Sequence, residues 1–142
     1  LQGVRAWWLV GLPVSPAAGE FGRSWTGQAM DDCIFCKIVR GEIPSSRVAE
    51  SDRAIAFEDI APKAPVHTLV IPKEHIAALH EATGADREML ADCLLLCNEV
   101  ARIKDIDLSG FRVVTSDGPD GGQEVAHLHF HVLGGRKLQF GV

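Results

Sequence analysis

The most constraining feature of this chain is a segment near its C-terminal end in which histidine alternates with apolar residues. It reads His127-Leu128-His129-Phe130-His131-Val132-Leu133 and holds three of the six histidines. Side chains on a β-strand point alternately to opposite faces, so the imidazoles are predicted on one face and the apolar residues on the other. Histidines two apart on a strand lie about 6.6 Å from each other, which lets all three act on one small ligand.

Two chemistries use such a face, and a solvated polar surface is the alternative to both. Neutral imidazole nitrogens bind transition metals. One imidazole can instead attack phosphorus while its neighbours set its tautomer and orientation. The preceding segment, Asp117-Gly118-Pro119-Asp120-Gly121-Gly122-Gln123, favours the second chemistry, because glycines let backbone N–H groups approach an anion closely.

Length and composition are typical of one globular domain. The chain has 142 residues, 46% hydrophobic and 23% charged, with a net charge of −5. The negative balance argues against a nonspecific nucleic-acid coat, which needs excess positive charge to displace counterions. No apolar run approaches the roughly 20 residues of a membrane-spanning helix. Four cysteines are too few for a disulfide scaffold. We therefore expect a cytoplasmic protein without nucleic-acid or membrane partners.

The chain changes character at Met30. Residues 1–29 contain all three tryptophans and show no sustained helical or strand period. We interpret them as an N-terminal extension: a leader, a targeting remnant or a segment derived from cloning. The domain is predicted over residues 30–142.

The pattern after Met30 predicts five strands and two helices. One helix is expected over 33–40, with Asp32 as its N-cap, and a longer amphipathic one over about 86–104, where Thr83 and Asp86 have capping-box spacing. The predicted strands are Arg47–Glu50, Ala54–Glu58, 67–71, 111–115 and 125–133, with a turn-rich loop over 116–123. Since short links join most strands, the fold class is α+β on an antiparallel sheet.

These residues resemble the histidine triad (HIT) family of nucleotide-binding proteins, within it the branch that hydrolyses purine nucleoside phosphoramidates. The resemblance rests on the histidine segment continued through Gly134-Gly135-Arg136, on Asp120-Gly121-Gly122-Gln123, on Phe57-Glu58-Asp59-Ile60, and on Ala64-Pro65-Val66-His67-Thr68-Leu69-Val70-Ile71-Pro72-Lys73-Glu74-His75. It implies a five-stranded antiparallel sheet with two helices, paired in a homodimer into a ten-stranded sheet.

The resemblance also implies roles for individual residues. His129 would attack the α-phosphorus to form a nucleotidyl-histidine that water hydrolyses, while His131 and His67 orient it. Asp59 would accept hydrogen bonds from the ribose hydroxyls. The other implied contacts are an apolar slot for the purine, formed by Ile34, Phe35, Ile38, Phe57 and Ile60, and a phosphate site at Ser116, Gly122, Gln123, Glu124 and Val125, beside His129 and His131. For Ile38 and Phe57, ordinary core packing is an equal alternative.

Two positions depart from the better-known phosphoramidase pattern. Ser116 stands where asparagine is usual, and Glu124 where serine often contacts the phosphate or the leaving group. A carboxylate beside a phosphate is repelled unless it turns away or carries a proton. We therefore expect Glu124 to point away from the phosphate.

Cys33 and Cys36 form a C-x-x-C on the first helix, where residues three apart share a face and both sulfurs can reach one ion. Relatives with this pair look like Cys₂His₂ zinc proteins, which implies His75 and His127 as the other ligands of a structural Zn²⁺. Two reduced thiols in a small core are the alternative. Cys93 and Cys97 are predicted in the core.

The favoured function is hydrolysis of purine nucleoside 5′-phosphoramidates, such as an adenylated lysine, through His129. The same nucleophile could instead cleave dinucleoside polyphosphates or transfer the nucleotide to phosphate. A nucleotide-binding regulatory or scaffold protein is the rival from another class. A metalloenzyme that uses His127, His129 and His131 as ligands is the weakest alternative.

Overall fold

The computed structural model describes residues 32–140, so the predicted extension over residues 1–29 lies outside the described residues. The strands are β1 (Arg47–Glu50), β2 (Ala54–Glu58), β3 (Val66–Pro72), β4 (Phe111–Val114) and β5 (Phe130–Gly134). The helices are α1 (Ile34–Val39), α2 (Arg87–Ile103) and the single turn α3 (Gly118–Gly121), with 3₁₀ turns at Leu79–Glu81 and Gly84–Asp86.

The five strands form one antiparallel sheet in the order β1-β2-β3-β5-β4, which confirms the predicted fold class. Among the described strands, β1 and β4 are the edges. The centre is β3 beside β5, where His67 pairs with Leu133 and Leu69 pairs with His131. This register brings a histidine from each of two strands that are distant in sequence onto one face of the sheet.

The two faces of the sheet carry separate apolar clusters. On one face α2 packs through an apolar stripe that includes Cys93, Cys97 and Val100, so the prediction that both cysteines are core residues is confirmed. On the other face α1 packs through Phe35 and Ile38. The catalytic candidates and the C-x-x-C therefore lie on the α1 side.

Helix α2 agrees with its predicted range to within one residue at each end. The capping box is present: Thr83 N donates to Asp86 Oδ2 over 2.9 Å, and Ala85 N donates to Thr83 Oγ1 over 3.2 Å. It caps the 3₁₀ turn Gly84–Asp86, which leads directly into α2.

The prediction that Asp32 caps the first helix is wrong. Cys33 is the N-cap, and its Sγ accepts from Cys36 N over 3.4 Å, so α1 begins one residue later than predicted. The thiol takes over the role of a polar cap, because its sulfur already lies against this helix end.

The start of the last strand is also corrected. β5 begins at Phe130, because Leu128 N donates to Ile76 O over 2.7 Å instead of joining the sheet, and His127 N donates to Val125 O over 2.9 Å. The predicted loop over residues 116–123 contains the turn α3, which Gly122 ends with a left-handed φ of 83°. Within the described residues, no helix is long and apolar enough to cross a membrane.

Candidate functional site

The alternation predicted for the histidine segment holds, although its first half precedes the strand. Leu128, Phe130 and Val132 are buried in the cluster beneath α2. The imidazoles lie on the α1 side, where the Phe35 ring centroid is 5.8 Å from that of His127 and 5.3 Å from that of His129. Each histidine has a different set of partners, which gives the three rings different chemistry.

His129 has a defined tautomer. Its Nδ1 lies 2.6 Å from the carbonyl oxygen of His127. Because a carbonyl oxygen only accepts, Nδ1 carries the proton and Nε2 keeps the lone pair. His129 is 7% exposed, and burial lowers its pKa below the usual 6.5. Its ring is therefore neutral at pH 7, with Nε2 free to act as a nucleophile.

His67 and His131 form a hydrogen-bonded pair with a defined direction. The backbone N–H of Lys63 donates to His67 Nδ1 over 3.0 Å, so the proton of a neutral His67 is on Nε2. That atom lies 2.8 Å from His131 Nδ1, which must accept, and the His131 proton is then on Nε2. Burial lowers the pKa of His131 to about 4. Its ring centroid is 5.1 Å from that of His129.

Asp59 lies beside the contact between these two rings. Its Oδ2 is 3.3 Å from His67 Nε2, and its Oδ1 accepts from Ala61 N over 2.8 Å. Asp59, His67 and His131 are close enough together to suggest a metal site. The hydrogen bond from Lys63 N to His67 Nδ1 leaves the ring proton on Nε2. Because a protonated Nε2 has no lone pair, this arrangement argues against metal binding by His67 at this site.

The four predicted metal ligands converge on one point. Cys33 Sγ lies 3.3 Å from His127 Nδ1, and Cys36 Sγ lies 3.2 Å from His75 Nδ1 and 3.6 Å from His127 Nδ1. The two Nδ1 atoms are 3.2 Å apart. A tetrahedral zinc with Zn–N of about 2.0–2.1 Å and Zn–S of about 2.3 Å separates its ligands by roughly 3.3–3.8 Å, which these distances approach.

The protonation states of the cluster also suit a cation. His127 Nε2 lies 2.9 Å from the carbonyl oxygen of Pro72, so Nε2 carries the proton and Nδ1 presents its lone pair to the sulfurs. Burial lowers the pKa of His127 to about 4 and raises that of the Cys36 thiol to about 12. Burial thus makes it costly to ionise the Cys36 thiol, and a divalent cation would offset that cost by stabilising the thiolate.

The Gly-rich loop, residues 117–123, is held by side chains at both of its ends. Gln123 is 5% exposed; its Oε1 accepts from Gly118 N over 2.9 Å, and its Nε2 donates to Ala77 O over 2.7 Å and to Val125 O over 2.9 Å. At the other end, Asp117 accepts from the backbone and ring of His80. The side-chain amide of Gln123 is therefore used to brace the loop.

The other predicted nucleotide contacts differ in exposure. Phe35, Ile38 and Phe57 are buried together in the α1-side cluster, whereas Ile34 is 45% exposed and Ile60 is fully exposed. Ser116 and Val125 are half-buried, and Gly122 and Glu124 are exposed. Glu124 contributes a small upward effect to the pKa of His129, so its charge is felt at the nucleophile. The nucleotide-binding roles of these residues remain predictions.

Comparison with known proteins agrees with this geometry. A family model described as the HIT domain matches residues 40–138. The chain belongs to the HIT family. It is 50% identical over 108 residues to an uncharacterized HIT-like protein of Synechococcus elongatus, a match that covers 76% of this chain and 94% of that protein.

Two solved structures show the same HIT fold. A HIT family hydrolase from Legionella pneumophila superposes with a TM-score of 0.74 at 44% identity, covering 76% of this chain and 96% of that one. A histidine triad protein from Clostridium difficile superposes with a TM-score of 0.74 at 47% identity, covering 79% and 96%. The HIT domain match spans the three triad histidines and His67, whereas Cys33 and Cys36 precede it. The triad thus lies within the family's common domain, and half of the metal cluster lies before the matched range.

His80 is exposed in the 3₁₀ turn Leu79–Glu81, and sequence reasoning assigned it no partner. The structure pairs its Nδ1 with Asp117 Oδ1 over 2.9 Å, across 37 positions of sequence. No local pattern links the two residues, because one lies in a 3₁₀ turn and the other precedes a glycine loop.

Proposed function

We propose that this HIT protein is a nucleotide-binding hydrolase that cleaves purine nucleoside 5′-phosphoramidates through a nucleotidyl intermediate on His129. The observation that carries the proposal is the 2.6 Å contact from His129 Nδ1 to the His127 carbonyl, which leaves Nε2 as the nucleophilic atom. The hydrolase named from Legionella pneumophila supports the reaction class.

In the proposed reaction, His129 Nε2 forms a bond to the α-phosphorus and the P–N bond breaks. The leaving amine takes up a proton from solvent water and departs. Water then attacks the same phosphorus and loses a proton to solvent, the N–P bond to His129 breaks, and the nucleoside monophosphate is released with His129 again neutral. Because His131 Nε2 carries a proton, we assign it as the donor of a hydrogen bond to a phosphoryl oxygen. His67 holds His131 in that tautomer and acts as a positioning residue.

The proposed nucleotide site surrounds this centre. Asp59 is assigned to the ribose hydroxyls, from which a carboxylate can accept two hydrogen bonds, and its Oδ2 lies 3.3 Å from His67 Nε2. Ile34 and Ile60 are assigned to the purine as exposed apolar side chains, and Phe35, Ile38 and Phe57, which are buried together in the α1-side cluster, are assigned to the same slot. Gly122 and the backbone that follows, together with Ser116, are assigned to the phosphate.

A structural Zn²⁺ is proposed at the Cys33, Cys36, His75 and His127 cluster. Four protein ligands leave no open position, so the metal would hold α1 against the start of the histidine segment. The proposed chemistry takes place on His129 and uses no metal-bound group.

A cytoplasmic homodimer is the proposed form of the protein. The described edge strand β4 pairs with β5 alone, so its other side is available to the same strand of a second copy. Such pairing would extend the sheet to ten strands.

The test is to trap the intermediate with an adenosine phosphoramidate and to locate the added nucleotide by mass spectrometry. We expect adenylation at His129, and loss of turnover in His129→Ala with AMP still bound. Tight AMP binding without turnover would favour the regulatory protein. Faster cleavage of a dinucleoside polyphosphate would favour that substrate class.

A further inference from the structure

Segment 75–80 connects the metal cluster to the Gly-rich loop. It begins at His75, whose Nδ1 lies 3.2 Å from Cys36 Sγ, and ends at His80, which contacts Asp117. Between these ends, Ile76 and Ala77 accept hydrogen bonds from Leu128 and Gln123, two residues that precede His129. One short stretch of backbone thus contacts both the proposed zinc site and the proposed phosphate site.

The contacts follow one another along the segment. Ile76 O accepts from Leu128 N over 2.7 Å, next to His129 in sequence. Ala77 O accepts from the Gln123 side chain over 2.7 Å, at the end of the loop. These two bonds tie successive residues of the segment to the loop end and to the residue before the nucleophile.

The last contact holds the start of the loop. Asp117 Oδ2 accepts from His80 N over 2.6 Å, and Asp117 Oδ1 lies 2.9 Å from His80 Nδ1. About a third of each side chain is exposed, 35% for His80 and 33% for Asp117. Both carboxylate oxygens of Asp117 are therefore engaged by His80.

We propose that segment 75–80 transmits the geometry of the metal cluster to the phosphate-binding loop, with His80 and Asp117 as positioning residues that couple zinc binding to nucleotide binding. The proposal rests on the function proposed above. A metal bound to His75 would hold segment 75–80 in place. The Ala77 carbonyl and the His80 backbone N–H would then be fixed as well, and these groups bind the two ends of the loop at Gln123 and Asp117. Coupling of this kind is reciprocal, because each ligand must raise the affinity for the other by the same factor.

The competing route is through His127, a ligand candidate that is two residues from His129 along the chain. That route does not involve His80 or Asp117. The two routes are separated by breaking the His80–Asp117 contact while leaving all four ligand candidates in place.

The experiment measures the dissociation constant for zinc by competition with a chromogenic chelator, with and without saturating AMP, and in parallel the dissociation constant for AMP of the zinc-loaded protein. We expect AMP to raise the affinity for zinc by about 5- to 10-fold in the wild type. In Asp117→Ala and His80→Ala the effect should fall below about twofold, with AMP binding weakened and zinc content unchanged. His80→Asn places an N–H donor near the position of Nδ1 and should restore most of the coupling.

Glu88→Ala is the matched control, because it removes a partner of Arg53 at the start of α2, on the other face of the sheet. It should leave the coupling unchanged. Equal zinc affinity with and without AMP in the wild type would overturn the proposal, and so would coupling that persists in Asp117→Ala. If zinc-loaded wild type failed to bind AMP, the proposed function would fail as well; AMP binding without coupling would overturn this inference alone.

Discussion

The ring of His129 donates from Nδ1 to the carbonyl oxygen of His127 over 2.6 Å, so the backbone of one triad histidine sets the tautomer of the next. The same His127 directs its own ring into the cysteine cluster, with Nε2 on the Pro72 carbonyl. One residue therefore serves two sites, through its backbone for the nucleophile and through its side chain for the metal candidate.

The pH dependence of kcat/KM should follow the neutral form of His129. Burial lowers the pKa of this ring, so the protonated, inactive form accumulates only as pH falls below the ordinary value of 6.5. We expect a constant rate around pH 7 and an acid limb centred below 6.5, approaching a tenfold loss per pH unit. An acid limb centred above pH 7 would contradict this assignment.

Removal of the His67 side chain should slow the chemical step. His67→Ala deletes the donor to His131 Nδ1 and frees that ring to change its tautomer. We expect a loss of up to about 100-fold in the single-turnover rate, typical of a misplaced group. His67→Gln keeps an N–H near the position of Nε2 and should lose less. Equal rates for both variants would argue against the positioning role.

Metal content should depend on the C-x-x-C and be independent of the cysteines on α2. Cys36→Ala removes one of four converging donors and is expected to reduce zinc from about one per chain to near zero. The melting temperature should also fall, because a metal that binds only the folded state stabilises it. Cys97→Ala, which alters the α2 core, should keep its zinc. Zinc-free wild type would contradict the site.

Leu128 should anchor the histidine segment to the core beneath α2. Its side chain is fully buried in the α2-side cluster, whereas its sequence neighbours His127 and His129 face the α1 side. Leu128→Ala is expected to lower the free energy of unfolding by about 2–5 kcal/mol, whereas Leu128→Met should cost less than about 1.5 kcal/mol. Urea denaturation measures both. Similar losses for the two variants would show that side-chain volume is unimportant there.

Glu124 is exposed, and we predict that its carboxylate turns away from a bound phosphate. Glu124→Gln should therefore keep phosphoramidase activity within about threefold, with a small downward shift of the His129 pKa, because the Glu124 charge raises that pKa slightly. Titration of the ring by NMR and a steady-state assay measure the two effects. Loss of most activity at unchanged stability would show that the carboxylate acts on the substrate or leaving group.

Much of the architecture was predictable because it depends on neighbours in sequence. Strand alternation placed Leu128 and Phe130 opposite the imidazoles, and the stripe that includes Cys93 and Cys97 located the long helix. The errors fall where a distant group replaces a local one. The N-cap of α1 is Cys33 and not Asp32. β5 starts later than predicted because the N–H of Leu128 donates to the Ile76 carbonyl outside the sheet.

The sequence alone determined which residues are present for chemistry: an alternating histidine segment, a C-x-x-C and a Gly-rich loop. Only the tertiary structure decided what each histidine does. A tautomer depends on which acceptor or donor reaches each ring nitrogen, and for His127 that partner is the Pro72 carbonyl, 55 positions away. The His80–Asp117 contact was hidden for the same reason, since hydrogen bonds form between atoms that folding brings together, whatever their separation along the chain.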